Sequence, residues 1–175
     1  MQALERRHPD VAMIPGQVVR REFEYVRHGT LCLMGAYDVR RGKLFGFTSE
    51  DHDSTTFVDL LDLVDACYPE GKGHFIMDNL SAHDTEDVLD WLDEHPRWKR
   101  HFTPKHGSWL NQIEDAFSIL GRRVLARGSF TSPMDLTEKV YSYMTWANER
   151  ARPFTWAYRP KSWARKARQI SAGRH

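Results

Sequence analysis

Residues 73–125 read GHFIMDNLSAHDTEDVLDWLDEHPRWKRHFTPKHGSWLNQIEDAFSILGRRVL, and the order of elements in this stretch decides the fold class. A short apolar run, His74 to Met77, ends at Asp78. Asp84 can cap the helix that follows, with Glu86 and Asp87 in its first turn, where the helix dipole favours acids. Val88, Trp91 and Leu92 form its apolar side, and Pro96 ends it. Trp98 to Thr103 is the next strand. The loop PKHGS then opens a long amphipathic helix, Ser108 to Leu125, whose buried side carries Trp109, Ile113, Ala116, Phe117, Leu120 and Val124. Strands alternating with helices predict parallel strands joined by crossover helices. In such sheets ligands sit beyond the carboxyl ends of the strands, and Asp78 stands at such an end. Glu114, at the edge of the buried face in the second turn of its helix, can point back over the same edge.

Upstream, Thr30 to Tyr37 is apolar enough for a strand buried on both faces, and Lys43 to Thr48 is a second strand. Between them DVRRG, residues 38–42, reads as a hairpin loop with positive φ at Gly42. Asp38 is expected to cap this turn rather than to act as a catalytic acid. Asp53-Ser54 can cap a helix running to Tyr68, with Phe57, Leu60, Leu61, Val64 and Cys67 in one stripe and Pro69-Glu70-Gly71 as its stop. Ser132-Pro133 starts a last helix, with Leu136, Val140, Tyr143 and Ala147 on one side. Met1 to Phe23 has neither strand nor helix periodicity, is punctuated by Pro9 and Pro15-Gly16, and reads as a linking segment.

A chain of 175 residues suffices for one domain with a real core, and 41% hydrophobic with 28% charged residues fits a water-soluble globular protein. Cys32 and Cys67 match no metal or redox spacing and read as buried thiols in a reducing compartment. No apolar run approaches membrane-spanning length, and the N-terminus lacks a signal-peptide pattern, so a cytoplasmic location and no membrane partner are expected. The net charge of +1 hides an asymmetry. Residues 1–96 hold 9 Lys/Arg and 19 Asp/Glu, whereas residues 97–175 hold 16 and 5. From Arg150 to His175 there are eight Lys/Arg and no acid, interleaved with aromatics. This suits a polyanionic partner contacted from the C-terminal side, although pairing between the halves or a solvated basic tail accounts equally for the composition.

Asp78 and Glu114 are hard oxygen ligands of the kind Mg²⁺ or Mn²⁺ prefers. Spacing alone favours a metal site less than ordinary turn chemistry, since the chain has 24 acids and Asp-Asn after a strand is a common turn. His83, His101 and His106 read as surface or structural histidines. Lys105 and His106, on the loop before the Glu114 helix, can hold a phosphate at its N-terminus, unless Ser108 simply caps it. Arg122 and Arg123 suit the C-terminal dipole of that helix and add to the basic surface.

Taken together, FIMDNLSAH (75–83), HFTPKHGSWLNQIEDAFSIL (101–120), RGSFTS (127–132) and NERARPFTW (148–156) resemble the catalytic core of DDE transposases, nearest the bacterial insertion-sequence branch of the mariner superfamily. QALERRHPD (2–10) and RHGTLCLMGAYDVRRGKLFG (27–46) extend the likeness over nearly the whole chain. Asp78 and Glu114 match the second and third catalytic acids, with residues 79–113 between them. The resemblance implies an α/β, ribonuclease H-like fold, a mixed sheet with flanking helices. It also implies two divalent ions, Mg²⁺ or Mn²⁺, with Asp78 and Glu114 as ligands. The implied chemistry is hydrolysis at transposon ends followed by attack of the freed 3′-hydroxyl on target DNA. Residues 1–150 would form the catalytic domain and 151–175 a basic aromatic tail. Lys105, His106, Arg122, Arg123, Arg165, Lys166 and Arg168 would contact DNA, and a homodimer is one arrangement open to the chain. In the family the first catalytic acid lies on the first, central strand, shortly before the segment matching QALERR. The chain starts at that point, so this strand, its aspartate and the end-recognising helix-turn-helix are expected to be missing. Glu5 and Asp38 do not match the first acid's position. A truncated transposase is therefore expected. A non-catalytic DNA-binding remnant and a ribonuclease H-like nuclease unrelated to transposition are the alternatives.

Overall fold

The computed structural model describes residues 1–7, 24–104, 111–126 and 128–155. Its strands are β1 (Gln2–Arg6), β2 (Tyr25–Thr30), β3 (Cys32–Asp38), β4 (Lys43–Ser49), β5 (Gly73–Met77) and β6 (Trp98–Phe102). Its α-helices are α1 (Ser54–Cys67), α2 (Glu86–Glu94), α3 (Gln112–Leu120) and α4 (Pro133–Glu149). A 3₁₀ turn, Ser81–His83, follows β5, and a π-helical turn, Gly121–Leu125, extends α3. β1–β2 and β3–β4 are antiparallel pairs, and β5–β6 is the expected parallel pair. Among the described residues no strand joins β3 to β5.

Side chains on a strand alternate between its faces, and the β3–β4 hairpin uses that alternation to separate two cores. Leu33, Tyr37 and Leu44 turn to one side, against Leu120, Phe130, Leu136, Val140 and Met144. Met34, Ala36 and Phe47 turn to the other, against Phe57, Leu60 and Leu61 of α1, Met77, Trp91 and Trp98. The hairpin is thus a middle layer between α3–α4 and α1–α2. Gly35 pairs with Gly46 in this ladder. A Cβ at Gly35 would stand 2.8 Å from Phe117 Cζ, so the missing side chain is what lets α3 lie on the strand. The outer edge of β4 is closed by α4. Asn148 Oδ1 accepts from the Leu44 N–H at 2.8 Å, its Nδ2 donates to the Leu44 carbonyl at 2.8 Å, and Tyr141 Oη accepts from the Thr48 N–H at 3.1 Å.

α1 starts where its cap predicts. Asp53 accepts from the Thr56 N–H at 2.9 Å and from Thr56 Oγ1 at 2.8 Å, and these bonds hold its carboxyl below the usual carboxylate range. α4 starts likewise at Ser132, with Pro133 in its first turn. Beneath β5 and β6, the Trp98 ring fills the space that a side chain at Gly73 would occupy. Asp38 caps the β3–β4 turn as expected. Its Oδ1 accepts from the N–H groups of Arg40 and Arg41, and Gly42 has φ 72°. Its Oδ2 also accepts from the Tyr68 hydroxyl at 2.5 Å. Burial first, then this bond, pushes the Tyr68 phenol up to about 12.

Several sequence expectations fail for tertiary reasons. Gln2–Arg6 is a strand, not a linker, because its partner lies at residues 25–30, outside any local window. Thr30–Tyr37 is broken at Leu31, whose N–H donates to the Met1 carbonyl. β3 is half-buried throughout rather than buried on both faces. Asp84 does not cap α2. It pairs with Arg100 at 2.6 Å, and Thr85 takes the N-cap position. α3 begins at Gln112, so Glu114 lies in its first turn, not its second, and is exposed. Neither cysteine is buried, Cys32 being intermediate and Cys67 exposed. Among the described residues no helix is long and apolar enough to cross a membrane.

Gly35→Ala is expected to destabilise the fold by about 1–3 kcal/mol, because the methyl group must displace the Phe117 ring; urea midpoints check this. For Tyr68 the sign follows from a folded value above the ordinary 10. Its contribution is complete below pH 10 and is lost as the pH rises toward 12. Tyr68→Phe should therefore reduce the loss of stability across that window, measured as denaturation midpoints at successive alkaline pH values.

Candidate active site

Asp78 is the residue at which β5 ends, and its surroundings hold it in one orientation. The chain turns at once into Ser81–His83, and this turn carries the His83 ring back over Asp78. His83 Nδ1 lies 3.1 Å from Asp78 Oδ1 and 3.2 Å from the Asp78 carbonyl oxygen. Both neighbours are acceptors, so Nδ1 carries the proton. The ring is held on its far side by Phe57, with centroids 4.3 Å apart. The Leu80 N–H also donates to Asp78 Oδ1, at 3.2 Å, which leaves Oδ2 without a hydrogen-bond partner among the described residues. Next along the chain, Asn79 Nδ2 donates to the Thr103 carbonyl at 2.7 Å and ties this turn to the end of β6.

Glu114 is positioned by a different element, α3. Phe117 on Gly35 fixes α3 across β3, and Ile113 packs in the same core as Leu33 and Tyr37. The Tyr37 phenol is pushed above its ordinary value chiefly by burial, then by the carboxylates of Asp38 and Asp115. The start of α3 therefore stands at the end of β3. Glu114 has no side-chain partner among the described residues and is exposed to solvent.

One cavity of about 190 Å³ is lined by residues next to each acid in the chain, Met77 and Ile113, though by neither acid itself. Its walls are Gly35 to Tyr37 of β3 and His74 to Met77 of β5, its floor is Phe57, Leu60, Leu61 and Val64 of α1, and His83 and Asn111 to Ile113 close one side. Met77 precedes Asp78, and Ile113 precedes Glu114, so each acid follows directly on a wall residue. Among the described residues no group of three His, Cys, Asp or Glu side chains is gathered for a metal ion. Asp78 and Glu114 are carboxylate donors of the right hardness for Mg²⁺, but they are two where a two-metal site needs more.

The other sequence candidates divide cleanly. Arg122 and Arg123 are exposed on the π-helical turn, where the Ala126 N–H bonds to the Gly121 carbonyl at 2.8 Å. Arg122 Nη1 donates to Ser118 Oγ at 2.6 Å. Lys105 and His106, and Arg165, Lys166 and Arg168, lie outside the described residues. His101 is not near Asp78's carboxylate but bonded across the parallel pair to His74, with the two ring nitrogens 2.8 Å apart. His83 is the residue that sequence reasoning undervalued. Its offset of five from Asp78 matches neither strand nor helix spacing, and only the 3₁₀ turn brings the two together.

Comparison with known proteins gives two findings. The family described as DDE superfamily endonuclease matches residues 2–137. The chain is also similar to an uncharacterized 39 kDa protein of insertion element IS630 from Shigella sonnei, at 27% identity over 113 residues. That similarity covers 64% of this chain and 33% of the relative, so the chain spans about a third of the relative's length. With a match that runs from the first strand into the last helix and takes in Asp78 and Glu114, the chain belongs to the DDE superfamily of endonucleases.

Proposed function

We propose that this chain serves metal-dependent cleavage and joining of DNA phosphodiesters during movement of an insertion element, as part of a DDE transposase. The observation that carries this reading is the shared cavity. Met77 and Ile113 line it, Asp78 and Glu114 follow directly on them, and both acids lie within the family match. The fold belonging to this reading is ribonuclease H-like, a mixed sheet with flanking helices in which, among the described residues, no strand pairs β3 with β5.

Asp78 and Glu114 would hold a divalent ion, Mg²⁺ or Mn²⁺. Such an ion supplies Lewis-acid polarisation of the phosphodiester. The chain's own residues orient the ligands. His83 keeps Asp78 Oδ1 occupied and so turns Oδ2 outward. Glu114, in the first turn of α3, has its carboxylate free for an ion. Arg122 and Arg123 would bind backbone phosphates, as would Lys105, His106, Arg165, Lys166 and Arg168. Because two carboxylates fall short of a two-metal donor set, the chain by itself is proposed to bind DNA without cutting it. The alternative, a DNA-binding remnant with no catalytic role, draws support from that same shortfall among the described residues.

Mn²⁺ titration followed by electron paramagnetic resonance separates these readings. The chain should bind Mn²⁺ weakly, and Asp78→Asn or Glu114→Gln should each weaken that binding roughly tenfold or more without changing the circular dichroism spectrum. Undiminished binding in either variant removes that residue from the site. Replacing Arg122 and Arg123 by alanine should weaken binding to all DNA sequences alike and reduce the salt slope by about 1 per lost phosphate contact, measured by fluorescence anisotropy at several salt concentrations.

A further inference from the structure

The β3–β4 hairpin turns through VRRGK, residues 39–43, and the chain leaving α4 reads RARPFT, residues 150–155. These eleven residues hold five Lys/Arg and no acid, although they come from distant parts of the sequence. The fold fastens them together. The Phe154 N–H donates to the Val39 carbonyl at 2.9 Å, and Asn148 brackets the backbone of Leu44. Gly42 has φ 72°, and a Cβ there would collide with the Arg152 carbonyl, so the backbone at residue 152 lies directly against the turn. Arg40, Arg41, Lys43, Arg150 and Arg152 are all exposed. Arg41 Nε lies 3.9 Å from Asp38 Oδ2, and its guanidinium stands 4.8 Å over the Tyr68 ring. Arg150 pairs with Glu149 at 3.1 Å and stands 5.0 Å over the ring of Trp146, itself exposed. Arg40, Lys43 and Arg152 have no acidic partner among the described residues. The helices take the other sign, since α1 and α2 carry eight Asp/Glu and no Lys or Arg. Of these acids, Asp62 and Asp65 bond Trp91, Arg97 and Trp98 and not the tip.

We propose that this hairpin tip is a phosphate-binding surface for the backbone of a DNA duplex, a contact separate from the one at Asp78. Exposed cations without acidic partners release counter-ions when phosphates take their place, and such contacts hold a duplex without reading its sequence. Four of the five are arginines, whose planar fork suits phosphate oxygens. Residues 156–175 add six more Lys/Arg and no acid, so the positive charge continues along the sequence from Arg152. Helix α1 sets the distance from the acid. Its Phe57 packs on His83 beside Asp78, and Tyr68 at its other end bonds Asp38 of the turn. From residue 57 to residue 68 a helix rises about 16 Å. The tip would therefore hold a neighbouring stretch of duplex and not the phosphodiester at Asp78. That the polyanion is DNA rests on the function proposed above, whereas the tip's fitness for phosphate does not.

The test is fluorescence anisotropy of the full chain with a short labelled DNA duplex, in EDTA and at several salt concentrations. Arg40→Ala, Lys43→Ala and Arg152→Ala together should lower the salt slope by about 2–3 and weaken binding roughly tenfold or more near 0.1 M salt, with the circular dichroism spectrum unchanged. An unchanged slope and affinity overturn the proposal. Where the triple variant fails to fold, Arg152→Gln alone decides, with an expected fall in slope of about 1. Arg40→Lys with Arg152→Lys keeps the charge and should leave the slope as it was; a loss as large as that of the triple variant means packing and not charge, and overturns the proposal. A second copy, presenting its acidic helices, is the other occupant. A salt-sensitive dimer in sedimentation velocity that the triple variant abolishes and DNA does not dissociate overturns DNA as the partner. An RNA duplex bound more tightly than DNA, with the same dependence on the tip, does so too. Asp78→Asn should leave binding in EDTA unchanged, which separates this surface from the active-site reading. Tip-dependent DNA binding, alongside Mn²⁺ binding that Asp78→Asn does not diminish, leaves the surface standing and removes that reading.

Discussion

The ring of Phe117 resting on the bare backbone of Gly35 is the contact on which the arrangement of this protein depends. A helix crosses a sheet closely only where side chains leave room, and here the paired glycines Gly35 and Gly46 leave it in the middle of the hairpin. From that contact the axis of α3 follows, and from α3 the position of Glu114 in its first turn. On the opposite face of the same strand Met34 and Ala36 pack toward α1. One hairpin therefore sets both helical layers, and close packing on both sides leaves neither layer free to shift alone.

Side chains complete the backbone hydrogen bonding of this protein at turns, helix starts and one strand edge. Side chains of α4 complete the backbone of β4, Asp38 completes the turn after β3, and Asp53 and Ser132 complete the first turns of two helices. Unpaired backbone groups away from water are too unfavourable to leave. Among the described residues β3 pairs only with β4, and β5 only with β6.

Asp78 shows how a surface carboxylate becomes a directed one without deep burial. Its side chain retains 43% exposure, yet one oxygen is fixed by His83 and the Leu80 amide. His83, only 15% exposed, is in turn held by Phe57 from α1. A core residue of one helix therefore orients an acid at the end of a strand through a single imidazole. Supporting contacts of this type around a ligand are what give a metal site its geometry.

What the sequence determined by itself was local. The caps at Asp53 and Ser132, the turn at Asp38–Gly42, the apolar stripe of α1 and the parallel relation of β5 and β6 depend on neighbours a few residues apart or on the crossover pattern, and they were legible. The joined motifs around Asp78 and Glu114 were legible as a family likeness, although the spacing of the two acids alone was weak. Only the tertiary structure decided that Gln2–Arg6 is a strand, that Asp84 serves Arg100 instead of a helix, and that α3 begins at Gln112. It also decided that His83 supports Asp78, and that residues of β3 and β5 line one cavity. The physical reason is the same in each case: the partner lies in another element of the chain, and periodicity carries no information about which distant backbone or side chain will be there.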